Sequence, residues 1–277
     1  MAATPLNIAV TAIEAALLLG GVLLIWLQIL SPAGRILFRQ PSPLSPWTIS
    51  LSDFLTFAFL MIAGGLLAAF VGGLLINRLQ LPLDTKTILN SAAFQFGLLL
   101  GPAFLPLELG HHPLRPAVNF STLRSGVVTF LITLPIVTVA NLAWLMILEK
   151  AGLPVEQQDL LRLFSEATQP AIIVVMIVLA TVVAPIAEEL LFRATLFRYL
   201  RTRLPRWLAL LVPGTLFAVL HVNWVTLDGL ASLVPLITLA VVFSIAFERT
   251  GKIATAIIAH GLFNLHTILL LVSGVTS

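Results

Sequence analysis

Long apolar runs separated by short polar segments dominate this chain. Each run is close to the ~20 residues that a helix needs to cross the ~30 Å hydrocarbon core of a bilayer. We therefore predict an all-α, polytopic transmembrane helical bundle of about eight spans. The runs are 7–30, 54–76, 88–107, 125–147, 171–198, 207–222, 230–247 and 253–272. The third run is interrupted by Gly101-Pro102 and Pro106, and the short sixth run contains Pro213-Gly214.

The composition supports an integral membrane protein. Hydrophobic residues make up 59% of the chain and charged residues only 10%, whereas soluble domains carry roughly 25% charged residues. Lipid must therefore cover most of the surface. The absence of cysteine rules out disulfides, thiolate metal sites and a cysteine nucleophile. The net charge of +3 gives no case for a nucleic-acid partner.

Positive residues near the span ends predict an orientation, because Lys and Arg concentrate in cytoplasmic loops. The clusters at 198–206 and 249–252 are expected in the cytoplasm, which places both termini outside if there are eight spans. In a prokaryote this membrane is the cytoplasmic (inner) membrane. Arg78 and Lys86 fall on the opposite side and conflict with the rule.

Three of the connections between spans are longer than the others: 31–53, 108–124 and 149–170. Residues 31–53 contain four prolines and predict an irregular surface loop. Residues 149–170 mix apolar and charged positions, which fits an amphipathic helix at the membrane interface or a solvated connector. The adjacent pair His111-His112 is interpreted as part of a solvated loop rather than as a metal site.

Three polar motifs lie inside the later apolar runs. Each ionisable group costs at least ~2.5–3.5 kcal/mol in hydrocarbon, so such groups usually mark a function. At 1.5 Å per residue, Glu188, His221 and His260 lie roughly 15, 21 and 12 Å from the same membrane face. These overlapping depths predict one shared site. The motifs are Glu188-Glu189-x-x-x-Arg193, Phe217-x-x-x-His221 and His260-x-x-x-Asn264.

Helical spacing divides the first motif. Glu189 and Arg193 are four residues apart and can form a structural ion pair. Glu188 is rotated ~100° from Glu189 and is free to face a cavity. By the same spacing, His260 and Asn264 share one face. Phe217 lies one turn before His221 and is expected to pack beneath it.

The residue types fit hydrolysis. A carboxylate can act as a general base on water, and an imidazole can hold that water or deliver a proton. A second imidazole and an amide can donate hydrogen bonds to an oxyanion. Glu188, His221 and His260 could instead hold Zn²⁺ or another divalent metal, although no H-E-x-x-H motif is present. The spacing leaves both mechanisms open.

Other interpretations also remain. Glu188 could be the ion site of a proton- or ion-coupled transporter. The chain could instead be a non-proteolytic membrane scaffold, with its polar residues making bracing ion pairs and interhelical hydrogen bonds. Glu14 could pair with a partner or lie near the outer interface, and the interface is favoured. His266, on a different face of the last span from His260, is also expected at an interface.

The motifs and their contexts resemble the CPBP intramembrane protease family. This family includes the type II CAAX prenyl endopeptidases and the bacterial Abi, or bacteriocin-processing, proteins. The resemblance covers about residues 125–272, with the three motifs in the family order. Ala194 stands where many members have glycine. The matching segments are APIAEELLFR at 184–193, GTLFAVLH at 214–221 and AHGLFN at 259–264.

The resemblance implies an endopeptidase domain at 125–277, preceded at 1–124 by about three spans of unknown role. It implies that Glu188 activates water with His221, while His260 and Asn264 stabilise the oxyanion. Glu189, Arg193 and Phe217 would then support the site. The substrate would be a membrane-associated peptide or protein, and its lipid modification stays open. The family's mechanism has been described both with a metal and without one.

Overall fold

The computed structural model describes residues 5–101, 117–153, 169–227 and 229–273. These residues form helices and connecting segments without strands, which confirms the predicted all-α membrane bundle. The helices are α1 Pro5–Leu30, α2 Pro32–Phe38, α3 Leu51–Ile76, α4 Leu83–Leu100, α5 Phe120–Ala151, α6 Pro170–Arg201, α7 Arg206–Val219, α8 Leu230–Thr250 and α9 Ile253–Ser273.

Six helices in the described part of the chain are long and apolar enough to span a membrane: α1, α3, α5, α6, α8 and α9. The third predicted run lies on α4, which does not qualify as a span. The sixth lies on α7, which has 14 residues and is short for a bilayer crossing. The predicted count of eight spans is therefore not confirmed.

Helix α5 lies at the centre of the bundle and packs against α1, α8 and α9. A capping box starts it, in which the Asn119 side chain accepts from the Thr122 amide and the Thr122 hydroxyl accepts from the Asn119 amide. Gly152 ends it in the left-handed conformation. At Gly21, α1 lies so close that a Cβ atom would come within 2.2 Å of the Leu131 carbonyl oxygen.

The main apolar core fills the space between α5, α6, α7, α8 and α9. Its largest members include Phe130, Leu134, Phe197, Leu239, Phe243 and Phe247. Helices α3 and α4 pack as a hairpin, and α4 supports the outer face of α6. Ile88 of α4 packs there with Met176 and Ala180 of α6 and Ile268 of α9.

An extended segment, residues 39–50, crosses one end of the bundle, and we call it the strap. Its carbonyl groups are bound by arginines. Arg198 donates to Ser45 at 3.2 Å, Arg203 donates to Trp47 at 3.1 Å, and Arg249 donates to Gln40 at 2.8 Å. Arg249 also donates to Phe38 at 2.7 Å. These bonds satisfy backbone groups that no regular structure pairs.

The prediction of an irregular surface loop at 31–53 was wrong in two respects. Pro32–Phe38 is a helix, because Pro32 stands at its first turn, where a missing N–H costs nothing, and the Ser31 side chain caps it. Trp47 is buried, with the Arg198 guanidinium 5.6 Å from its ring centroid. The proline-rich segment is therefore partly internal.

The two basic clusters, at 198–206 and 249–252, lie close together at the strap end of the bundle. Glu248 is buried and accepts from Arg201 at 2.6 Å and from Arg206 at 2.8 Å. This proximity agrees with the prediction that both clusters lie on one side of the membrane. Which side that is stays a prediction. The proposed interface helix at 149–170 falls mostly outside the described residues, as does His111-His112.

Candidate active site

Helix α6 carries the first motif and is not a regular helix. It contains π-helical segments at Leu179–Val183 and Leu190–Phe197, on either side of an α-turn at Ala184–Glu189. In the first segment the Ala184 amide bonds to Leu179, five residues back. The same register would pair Ala180 with residue 185, which is a proline without an N–H. The Ala180 carbonyl is thus left for another donor.

Asn264 of α9 supplies that donor. Its Nδ2 donates to the Ala180 oxygen at 2.7 Å. The approach requires Gly261, where a Cβ atom would lie 2.4 Å from the Thr181 oxygen. Pro185 in one motif and Gly261 in another therefore bring α6 and α9 together at the polar residues.

We expect Gly261→Ala to destabilise the protein by about 1–3 kcal/mol, the usual cost of overpacking a tight contact. The added methyl group must push α9 away from α6 and displace the neighbouring His260 and Asn264. Gly20→Ala is the matched control, because a Cβ atom there has nothing within 4 Å. Thermal unfolding of both variants in one detergent checks this. Equal midpoints for the two variants would contradict the close contact.

Glu189 lies at the centre of a buried polar group. Its Oε1 is 3.0 Å from Arg193 Nη1 and 2.8 Å from His260 Nδ1. The exposed fractions of the Glu189 and Arg193 side chains are 0% and 1%. Because an ionised carboxylate only accepts, the His260 Nδ1–H donates to it. The ring of His260 is thereby held with Nε2 directed away from Glu189.

Charge, rather than aligned hydrogen bonding, holds the Arg193–Glu189 contact. Although their atoms are 3.0 Å apart, both Arg193 Nη atoms and Glu189 Oε2 lack a well-directed hydrogen bond to any described residue. The guanidinium also lies 4.9 Å from the Phe217 ring centroid and 5.8 Å from that of Phe243. Cation–π attraction adds to the stabilisation of this buried cation.

Phe217 packs between the two histidines of the motifs. Its ring centroid is 4.5 Å from that of His221 and 6.1 Å from that of His260. His221 lies in a turn just beyond the end of α7, and its Nδ1 donates to the Phe217 carbonyl at 2.7 Å. Like His260, His221 is therefore left with Nε2 for other partners.

Glu188 lines a cavity that Glu189 does not reach, as helical spacing predicted. Its side chain is 17% exposed, and its Oε2 lies 3.7 Å from His260 Nε2. This distance is longer than a direct hydrogen bond, so neither atom is committed to the other. Glu188 therefore remains available to a ligand while Glu189 does not.

Glu188, His221, His260 and Asn264 all line one cavity of about 540 Å³. The rest of its wall is mainly apolar and comes mostly from α5, α8 and α9, for example at Leu134, Leu239 and Phe263. Glu189 and Arg193 are not among its lining residues and lie behind the wall. The cavity is thus a largely apolar chamber with a few convergent polar groups, as ligand sites usually are.

The described lining of the cavity also has two ionisable residues that the motifs did not include, Glu14 of α1 and His266 of α9. His266 Nε2 lies 2.8 and 3.0 Å from the two Glu14 oxygens. Glu14 therefore has a partner, which is the less favoured of its two predicted roles, and the expected interfacial position of both residues stays a prediction. They are separated by 252 positions, and no spacing rule in a single sequence reports such a contact.

The candidate metal ligands do not form a metal site in this arrangement. A catalytic zinc site needs three protein ligands around one position. Within the described ranges, no three His, Asp or Glu side chains are grouped closely enough to hold an ion. Glu188 and His260 face each other, but His221 does not complete a ligand set with them. The residues as arranged do not fit this kind of site.

Comparison with known families supports the resemblance predicted from the motifs. Residues 170–266 match the family model described as type II CAAX prenyl endopeptidase Rce1-like. The matched segment contains all three motifs and is shorter than the predicted range of 125–272. Its similarity is to CAAX-type intramembrane proteases, and it supports protease activity in general terms. Comparisons with curated proteins and with solved structures found no match.

Proposed function

We propose that this protein is an intramembrane endopeptidase that hydrolyses a peptide bond of a membrane-associated substrate with water activated by Glu188. The observation that carries the proposal is the single cavity lined by Glu188, His221, His260 and Asn264, which come from three separate segments. A chamber of this size can hold a segment of peptide together with water. The family match over 170–266 supports the same reaction class.

The first step is attack by water. Glu188 accepts a proton from a water molecule in the cavity, and His221 Nε2 helps to orient that water. His221 is suited to this role because its Nδ1–H is already bonded to the Phe217 carbonyl, which leaves Nε2 as an acceptor. The water oxygen forms a bond to the carbonyl carbon of the substrate, whose oxygen becomes an oxyanion.

Asn264 and His260 stabilise the oxyanion. Asn264 uses one N–H for the Ala180 carbonyl and retains the second for the substrate. His260 can donate from Nε2 only when its ring carries both protons, since Nδ1–H is bonded to Glu189. The Glu189 carboxylate stabilises that positive ring, much as a triad aspartate does in other hydrolases.

The second step breaks the C–N bond. Protonated Glu188 returns its proton to the leaving nitrogen, which departs as an amine and leaves a carboxylic acid. The acid then gives its proton to the amine, so the products are a carboxylate and an ammonium group. The proton balance closes without another reactant. Glu189, Arg193 and Phe217 are positioning residues in this scheme, because they hold His260 and His221 and lie behind the reacting groups. We place the strap end of the bundle in the cytoplasm, in line with its arginines.

Hydrolysis by the purified protein tests the proposal. We expect the protein in liposomes to cleave members of a panel of membrane-anchored peptides. In H₂¹⁸O, one ¹⁸O atom enters the new carboxylate, which mass spectrometry detects. Glu149→Gln, at an exposed position outside the cavity, is expected to retain activity. Substrate flux across the liposomes without peptide products would contradict the proposal and favour a transporter.

A further inference from the structure

The Glu14–His266 pair forms a second polar group in the proposed substrate cavity. Its side chains are 25% and 15% exposed, and both line the cavity that holds Glu188 and His260. Glu14 lies on α1, which is outside the segment that matches the family model. The pair is therefore a feature of this chain rather than of the three motifs.

This pair presents hydrogen-bond acceptors. Ionised Glu14 can only accept, and the His266 Nε2–H is already given to both of its oxygens. When the ring is neutral, its Nδ1 is a further acceptor. The neighbouring Thr267 lines the cavity too, and its hydroxyl donates to the Phe263 carbonyl at 3.0 Å. The N–H groups of a ligand would find hydrogen-bond acceptors here, whereas a carboxylate would find no donor in this pair.

The spacing along α9 relates the pair to the reacting groups. His266 is six residues beyond His260, which is about 9 Å along the helix axis. An extended peptide covers about 3.3 Å per residue, so this distance corresponds to about three residues of substrate. A peptide lying across a mainly apolar cavity needs partners for its main-chain N–H groups. The Glu14–His266 pair can provide them.

The described cavity wall carries acidic side chains but no lysine or arginine to balance them. Its described lining includes the carboxylates of Glu14 and Glu188 and three imidazoles, but no lysine or arginine. Arg193 lies behind the wall and is paired with Glu189. An acidic substrate side chain near Glu14 would meet a like charge with no lysine or arginine in the described lining to compensate it, which is costly away from water.

We propose that Glu14 and His266 form a charge-selective subsite that contacts the substrate about three residues from the scissile bond and rejects acidic side chains there. This subsite rests on the proposed endopeptidase function. Its ligand is an extended peptide segment with a neutral or basic side chain. It gives α1 a direct role in substrate choice.

A position scan of a cleaved peptide tests the subsite. Gln, Lys or Glu is placed in turn at each of the four positions on either side of the scissile bond, and kcat/KM is measured. We expect Glu to be disfavoured by about tenfold or more relative to Gln at one position, the size of a like-charge penalty. Glu14→Gln should lower that ratio severalfold, because its amide oxygen still accepts from His266 while the charge is gone. Glu149→Gln should leave the ratio unchanged.

A second variant distinguishes a role of the pair in substrate selection from a purely structural contact between α1 and α9. His266→Gln loses the imidazole but retains the Glu14 charge, so the discrimination against Glu should persist or increase. If the kcat/KM ratio of the Gln peptide to the Glu peptide is the same in Glu14→Gln as in the wild type, the subsite is overturned. It is also overturned if both variants lose the discrimination against Glu equally. Absence of all cleavage by the wild type overturns the endopeptidase function itself, together with the subsite.

Discussion

Glu188→Gln is expected to lower kcat for peptide hydrolysis by about 10²–10⁴-fold, the usual contribution of a general base. Glutamine has nearly the same shape but cannot take a proton from water. The protein should remain folded, because Glu188 is partly exposed to the cavity and is 3.7 Å from its nearest ionic partner, His260. The loss should therefore appear in kcat, with KM changed little.

Single-turnover cleavage with excess enzyme measures this loss directly. Glu149→Gln carries the same change of charge at an exposed site and serves as the control. The unfolding midpoint of Glu188→Gln in detergent should equal that of the wild type. Activity within tenfold of the wild type would remove Glu188 from the proposed mechanism, even if the cavity still binds peptides.

Glu189→Ala is expected to destabilise the protein by about 3–5 kcal/mol, the usual cost of leaving one buried charge without its partner. The substitution leaves the Arg193 guanidinium buried without the carboxylate at 3.0 Å. It also removes the acceptor of the His260 Nδ1–H. Equilibrium unfolding by a denaturing detergent measures the free energy of unfolding of the variant and the wild type.

A double-variant cycle isolates the ion pair. Glu189→Ala with Arg193→Met removes both charges, and we expect it to recover a large part of the lost stability, because replacement of a whole buried pair by apolar groups is often nearly neutral. The lost hydrogen bond to His260 should limit the recovery. A double variant less stable than Glu189→Ala would show that Arg193 stabilises the fold through Phe217 and Phe243 instead.

Local rules were enough to predict much of the candidate site. The four-residue spacing of Glu189 and Arg193 predicted their ion pair, and the rotation of Glu188 predicted its separation from them. Helical rise and positive residues at the span ends suggested that Glu188, His221 and His260 lie at similar depths. All three line one cavity. These features depend on helix geometry and hydropathy, which a single sequence reports.

Contacts between distant segments could not be predicted in the same way. The Asn264–Ala180 bond depends on a π-helical register next to Pro185, while the sequence pattern suggested one regular helix. The Glu14–His266 pair and the Glu248 cluster join segments with no common motif. Apolar composition identifies helices that enter the membrane, but nearly uniform apolar surfaces do not specify which faces meet.

The strap also has a consequence for the order in which the protein is completed. Its carbonyl groups are synthesised early, but the arginines that bind them follow much later: Arg198 lies 153 positions after Ser45, and Arg249 lies 209 after Gln40. A nascent chain emerges from its N-terminus, so this end of the bundle closes only after α6 and α8 have been made. The strap must therefore stay accessible, with these carbonyl groups unpaired by arginine, until both helices are made. A chain truncated before residue 198 would lack the arginine side chains that donate to the strap.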